Sequence, residues 1–232
     1  MRLMLISDIH ANLPALEAVF KDVAHSFGKV DYVICAGDIV GMGPFPNEVC
    51  ESLKDMEKFI SVRGECDQAV IDKKLTGIDP SISESINWTI KNITKSSLSF
   101  LNSLDDYSPL KLMGFNIFIV HGSPENYLNG MISKIEPTDT LRKYLVDTNA
   151  DIMICGQTHV PFVKEIDGKY IINPGSVGQP KDGNPASSYA FIDINNMEIS
   201  FRRVSYDIES LIKRAKRFRF PENLLDRFYF GR

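Results

Sequence analysis

Met1-Arg2-Leu3-Met4-Leu5-Ile6-Ser7-Asp8-Ile9-His10-Ala11-Asn12 opens the chain, and its apolar run from Leu3 to Ile6 stops abruptly at polar groups. Such a run reads as a strand buried on both faces that carries a site at its C-terminal end. In extended backbone, residues two apart point to the same side. Asp8 and His10 would then offer a carboxylate and an imidazole to one point in space, as a divalent metal requires. The plainer alternative is that Asp8 only caps the helix beginning near Asn12, with His10 a satisfied polar residue. An isolated Asp-x-His does not choose between the two; recurrence of the design further along the chain does.

The chain repeats that design. Leu13 to Phe20 has apolar residues at helical spacing with Pro14 in the first turn, which predicts a helix ending near Gly28. A second buried strand, Tyr32 to Ala36, ends in Gly37-Asp38. A helix around Asn47 to Met56 leads to a third strand, Phe59 to Val62, which ends in Arg63-Gly64-Glu65-Cys66-Asp67. Apolar strands joined through helices imply parallel pairing with right-handed crossovers, and in such sheets sites form outside the carboxyl ends of the strands. Residues 67–106 turn rich in Ser, Asn and Lys with sparse apolar anchors, which reads as two or three helices inserted over the edge of the core, as a lid or as a dimer surface. Trp88 within them reads as a packing residue.

The second half switches to hairpins. Leu110 to Met113 and Phe115 to Val120 flank Gly114, and the second of these ends in His121-Gly122-Ser123-Pro124. A helix from about Pro137 to Asp147 precedes a buried strand, Ile152 to Cys155, which ends in Gly156-Gln157-Thr158-His159. Asp167-Gly168 between Phe162–Ile166 and Tyr170–Ile172 is a strong hairpin signal. Asn173 to Gly183 reads as a tight loop whose glycines let backbone approach a ligand closely. Two last strands, Ser188 to Ile194 and Ile199 to Val204, turn at Asn195-Asn196. Parallel units followed by hairpins predict an α/β fold of four layers, two mixed β-sheets packed face to face with helices outside.

Composition bounds the function. At 232 residues, 44% hydrophobic and 24% charged, the chain reads as one globular domain over 1–232, with a C-terminal helical tail at about 207–232. No apolar run is long enough to cross a membrane and no signal-peptide pattern opens the chain, so the expected location is cytoplasmic. A net charge of −4 gives no general footprint for nucleic acid, and the basic stretch Lys213 to Arg219 reads as the solvated face of a terminal helix. Cys35, Cys50, Cys66 and Cys155 show no Cys-x-x-Cys spacing; Cys35 and Cys155 lie in apolar strands and read as core. A homo-oligomer is left open.

Three of the four histidines, His10, His121 and His159, closely follow apolar strands, as do Asp8, Asp38 and Glu65, whereas His25 stands apart near the end of a surface helix. Five strands delivering oxygen and imidazole ligands to one edge predict a two-metal hydrolytic site. Ser7-Asp8-Ile9-His10, Gly37-Asp38-Ile39-Val40-Gly41, Arg63-Gly64 with Asp67, His121-Gly122-Ser123-Pro124, Gly156-Gln157-Thr158-His159 and Asn173 to Pro180 follow one another in an order and spacing that resembles the calcineurin-like metallophosphoesterases. The likeness is greatest to the compact prokaryotic branch of that superfamily and spans residues 1 to about 195.

The resemblance implies that Asp8, His10 and His159 bind a first metal, that Asp38 bridges two metals and that His121 binds the second. Two positions depart from the family pattern. Glu65-Cys66 stands where the family has Asn-His, and Gln157 stands for the first histidine of Gly-His-x-His. A second site of Asp38, Glu65, His121 and Gln157 is rich in hard oxygen, which favours Mn²⁺, with Fe²⁺, Mg²⁺ or Ni²⁺ as alternatives, over Zn²⁺. The expected reaction is hydrolysis of a small phosphorylated substrate, a diester or a monoester, by in-line attack of a metal-bound hydroxide on phosphorus. Asp38, His121 and Cys66 are the candidate catalytic residues, although a thiol is a poor substitute for an imidazolium at the leaving group. Asn12, Arg63 and Lys181 are the candidate substrate contacts; Arg63 could equally hold a carboxylate such as Asp67, and Lys181 is the better phosphate candidate. The competing reading is a binding or scaffold protein on the same fold, against which the intact set Asp8, His10, Asp38 and His159 argues.

Overall fold

The computed structural model describes residues 1–80 and 82–232. Among them, β1 (Arg2–Ile6), α1 (Leu13–Ser26), β2 (Tyr32–Cys35), α2 (Pro46–Lys54) and β3 (Phe59–Ser61) form the predicted alternation. Helices α3 (Glu65–Asp72), α4 (Ser83–Asn92) and α5 (Lys95–Asn102) follow, then β4 (Tyr107–Leu112), β5 (Phe115–Val120), α6 (Thr138–Asp147), β6 (Ile152–Ile154), β7 (Phe162–Ile166) and β8 (Lys169–Asn173). The chain closes with β9 (Ser187–Asp193), β10 (Glu198–Val204), α7 (Ile208–Arg217) and α8 (Glu222–Phe230).

Two mixed five-stranded sheets result, ordered β10-β9-β1-β2-β3 and β4-β5-β6-β8-β7. β1, β2 and β3 pair in parallel, as do β5, β6 and β8, so each sheet brings strand C-termini to one edge. The opening strand shows why four layers form. Leu3 and Leu5 face the second sheet and pack with Ile34, Ile119, Ile154 and Ile172, whereas Met4 and Ile6 face the helices with Leu16, Val19 and Val49. A strand apolar on both faces therefore has a sheet on one side and helices on the other, and each fully buried aliphatic side chain contributes roughly 1.5–3 kcal/mol. A third cluster of Phe118, Met153, Cys155, Leu141 and Leu145 seats α6 on the far face of the second sheet.

Helices α3, α4 and α5 contribute side chains to the core. Ile86 and Leu101 are fully buried in the cluster that covers the first sheet. Trp88 does pack: its ring lies 4.5 Å from Phe218 and 5.2 Å from Phe220, tying α4 to the C-terminal segment. β4 begins three residues earlier than expected, and Met113 leaves the strand, because Met113 and Gly114 form the turn with φ of +51° and +89°. Two successive positive φ values suit the twist of a two-residue hairpin, as they do at Asp167-Gly168.

Candidate metal centre

The pairing of β1 with β2 continues past both strands. Asp8 N donates to Gly37 O at 3.0 Å, His10 N to Asp38 O at 2.9 Å and Ala11 N to Ile39 O at 2.8 Å, so the two ligand-bearing turns run side by side. These turns are not extended. Asp8, His10, Ala11 and Asp38 have φ between +50° and +53°, and Gln157 and His159 after β6 have φ of +64° and +58°. Asp8 and His10 converge through left-handed backbone, not through strand alternation, which corrects the expectation from spacing. Left-handed non-glycine residues cost on the order of 1–3 kcal/mol each and persist only where surrounding structure holds them.

The loop from Asn173 to Gln179 supplies much of that hold. Val177 N donates to Ser7 O at 3.0 Å, Gly178 N to Asp8 O at 2.9 Å, and Ser176 Oγ to Asp8 O at 2.7 Å. Gly178 is needed for this: a Cβ there would lie 1.9 Å from Ile9 O. At Gly178 the glycine-rich loop thus approaches the chain's own first turn. Asn12 is likewise internal. Its Oδ1 accepts from Ala15 N at 3.2 Å as the cap of α1, and its Nδ2 donates to Gly178 O at 2.8 Å. Asn12 is fully buried and each end of its amide is engaged within the chain, and the cap of the first helix is Asn12, not Asp8.

Three groups of ligating side chains gather at the strand ends among the described residues: Asp8, His10 and His159; Asp8, Asp38 and His121; and His10, Asp38 and Cys66. His10 Nε2 and His159 Nε2 face each other at 3.2 Å, with Asp8 Oδ1 3.2 Å from the latter and 3.8 Å from the former. Asp38 Oδ2 lies 3.7 Å from His10 Nε2 and 3.5 Å from His121 Nε2, between the two halves. His159 Nδ1 donates to Gln179 O and His121 Nδ1 to Ala36 O, bonds that leave each Nε2 aimed at the centre. Asp8 is fully buried, yet neither of its carboxylate oxygens has a hydrogen-bond donor. A buried carboxylate without partners is costly, so this donor set fits a cation.

Electrostatics agrees with that fit. Burial, reinforced by neighbouring charge, holds His10 well below the usual imidazole value, and burial also lowers His159, so both are neutral donors. Burial would raise Asp8, but His159, His121 and His10 outweigh it and keep it ionised. Burial would lower His121, but Asp38 and Asp8 prevail and push it up to about 9, whereas burial and Asp8 push Asp38 up to about 6 against the pull of His121.

The remaining expected residues separate. Gln157 Oε1 sits 3.0 Å from His121 Nε2, but Gln157 Nε2 donates to Glu65 Oε2 at 3.1 Å. Glu65 is half-buried and joins none of the converging groups, so the end of β3 contributes Cys66 and not Glu65 to the clustered side chains. Arg63 Nε stands 3.2 Å from Asp106 Oδ1, not beside Asp67. Asp67 instead accepts from Ile39 N at 3.1 Å, Val40 N at 2.9 Å and Gly64 N at 3.0 Å, which locks the turn bearing Asp38. Its position three residues after the helix cap was the signal that could have found it. Cys66 N donates to Asp38 Oδ1 at 2.8 Å, and burial together with Asp38 pushes the Cys66 thiol well up. Lys181 Nζ, at the mouth, is 3.4 Å from His159 Nε2. His25 is exposed on α1.

A two-sheet sandwich whose strand ends gather imidazoles and carboxylates is the metal-dependent class of α/β protein. The calcineurin-like phosphoesterase superfamily domain matches residues 1–197, and the chain belongs to that superfamily. The uncharacterized protein MJ0912 of Methanocaldococcus jannaschii is 34% identical over 243 residues, covering 98% of this chain and 97% of that one. Phosphodiesterase YfcE of Escherichia coli strain K12 is 30% identical over 207 residues, covering 83% and 88%. The crystal structure of a metallophosphoesterase from Sphaerobacter thermophilus superimposes with a TM-score of 0.84 at 32% identity, covering 100% of this chain and 99% of that one. No helix among the described residues is long and apolar enough to cross a membrane.

Proposed function

We propose that this chain hydrolyses a phosphate ester at a centre of two divalent ions, with water as the nucleophile. The buried, unpartnered Asp8 carboxylate facing Nε2 of His10 and His159 carries the proposal. When bound, the ions supply Lewis acidity to the phosphoryl oxygens and lower the pKa of the attacking water. Asp8, His10 and His159 would hold one ion and Asp38 and His121 the other, Asp38 Oδ2 standing between His10 and His121. Asp67 acts through Asp38 by fixing its turn. Lys181 meets a non-reacting phosphate oxygen. Cys66, held as a neutral thiol, gives the leaving oxygen little help.

With three imidazoles and two carboxylates the centre mixes nitrogen and oxygen donors; the carboxylates favour Mn²⁺, the ion we infer, with Fe²⁺, Mg²⁺ or Ni²⁺ as alternatives. The reading keeps a cytoplasmic location, in line with four unpaired cysteines. The test is metal analysis of purified protein with a screen of aryl monoesters and diesters under added Mn²⁺, diesters first because a relative is named a phosphodiesterase. Mn²⁺ should support more turnover than Zn²⁺, and undiminished activity after exhaustive chelation refutes the metal mechanism.

A further inference from the structure

The third group, His10, Asp38 and Cys66, adds to two residues of the centre a thiol that holds no ion in the reaction above. Its ligating atoms lie within 4.8 Å of one another, and the three residues are 0%, 2% and 2% exposed. Cys66 stands where the family pattern has a histidine, so this thiol beside the centre belongs to no ligand set the resemblance supplies. A second observation points to the same place. His10 Nδ1 is buried with no hydrogen-bond partner. It borders the bare face of Gly41: a Cβ there would stand 3.2 Å from His10 Nδ1 and 3.3 Å from Cys66 Sγ. Glycine leaves room between a thiol and an unpaired imidazole nitrogen.

We propose that Cys66, with His10 and Asp38, forms a site for a thiophilic divalent ion such as Zn²⁺ or Cd²⁺, and that its occupation competes with the catalytic metal pair. The proposal rests on the metal-centre reading above. Sulfur, imidazole and carboxylate from three residues form a donor set that such ions favour, whereas Mn²⁺ prefers oxygen. On binding, the Cys66 S–H bond breaks, a sulfur–metal bond forms and the proton leaves to solvent, with no change of oxidation state. Competition follows from Asp38, which also belongs to the group around His121, and from the repulsion between cations on opposite nitrogens of one His10 ring, whose Nε2 faces His159. Cys35, Cys50 and Cys155 join no such group among the described residues, so a sulfur signal identifies Cys66.

The experiment titrates Cd²⁺ into metal-free full-length protein and follows the ultraviolet sulfur-to-cadmium charge-transfer band, with calorimetry counting bound ions. The band should rise in the wild type, shrink when excess Mn²⁺ is added, and be lost in Cys66→Ser. X-ray absorption of the Zn²⁺-loaded wild type, which does not depend on a variant folding, should show one sulfur neighbour at about 2.3 Å. Cd²⁺ bound without a band, or zinc with only nitrogen and oxygen neighbours, overturns the role of Cys66 and leaves the metal centre standing. A band unchanged in Cys66→Ser, or unmoved by Mn²⁺, overturns it as well. No binding of any ion overturns both.

Discussion

A single methyl group at Gly64 tests whether the position of Asp38 sets the rate. A Cβ at this residue would stand 2.2 Å from Asp38 Oδ1 and 2.3 Å from Asp38 N, where real Cβ contacts under 3.0 Å essentially never occur. The carboxylate must retreat by about 0.8 Å, the gap between 2.2 and 3.0 Å, and rotating the side chain does not relieve the clash with the backbone nitrogen. Gly64 has φ −105° and ψ 179°, which alanine adopts freely, so the perturbation is steric and not conformational. A misplacement near 1 Å costs on the order of 100-fold in rate, about 2.7 kcal/mol of barrier. Crowding at this point also lowers stability by about 1–3 kcal/mol, or roughly 2–4 °C of melting temperature per kcal/mol in a chain of this size. The assay is kcat/KM for an aryl phosphate ester with saturating Mn²⁺ at a temperature where circular dichroism shows Gly64→Ala folded. A folded variant within threefold of wild type, with unchanged metal content, refutes the claim that Asp38 placement controls turnover.

His159→Ala should abolish turnover and remove an ion from the purified protein, whereas His25→Ala, on the exposed side of α1, should stay within a few fold; activity in His159→Ala sinks the first-metal assignment. In metal-free protein His121 is pushed up to about 9, above its usual 6.5, so its charge stabilises that form fully below pH 6.5 and the benefit is lost as pH rises through about 9. Metal must displace this proton, so affinity at the His121 half should rise about tenfold per pH unit until about 9, and pH-independent calorimetric affinity contradicts the coupling. With Cys66 a neutral thiol, esters of acidic phenols should be turned over far better than alkyl esters, the missing proton donor being worth roughly 10²–10⁴-fold. Glu65→Asn combined with Cys66→His should raise rates most on poor leaving groups. A flat dependence on phenol pKa in the native protein, with chemistry limiting, shows that another donor is present.

Much of this protein was legible in one dimension. The apolar run Leu3 to Ile6, the helical spacing after Pro14 and the turn Asp167-Gly168 are local patterns of period and turn chemistry, and they foretold the strand and helix order. Asp8, His10, Asp38, His121 and His159 stood out because each follows an apolar strand, and parallel pairing brings such ends together. Other features needed the folded chain. β9 and β10 return to the first sheet beside β1, a choice made by packing between segments about 190 residues apart. Asp and His tolerate left-handed backbone better than most residues, but that tolerance does not fix it at Asp8, His10 and Asp38; Ser176, Val177 and Gly178 hold the first turn and Asp67 holds the Asp38 turn, through hydrogen bonds made only after the sheets form. The same holds for Arg63, whose partner Asp106 lies beyond three helices, and for Glu65, drawn off by the Gln157 amide. Residue type and spacing determine which ligands a chain can present, whereas their convergence depends on strain that only distant contacts can hold.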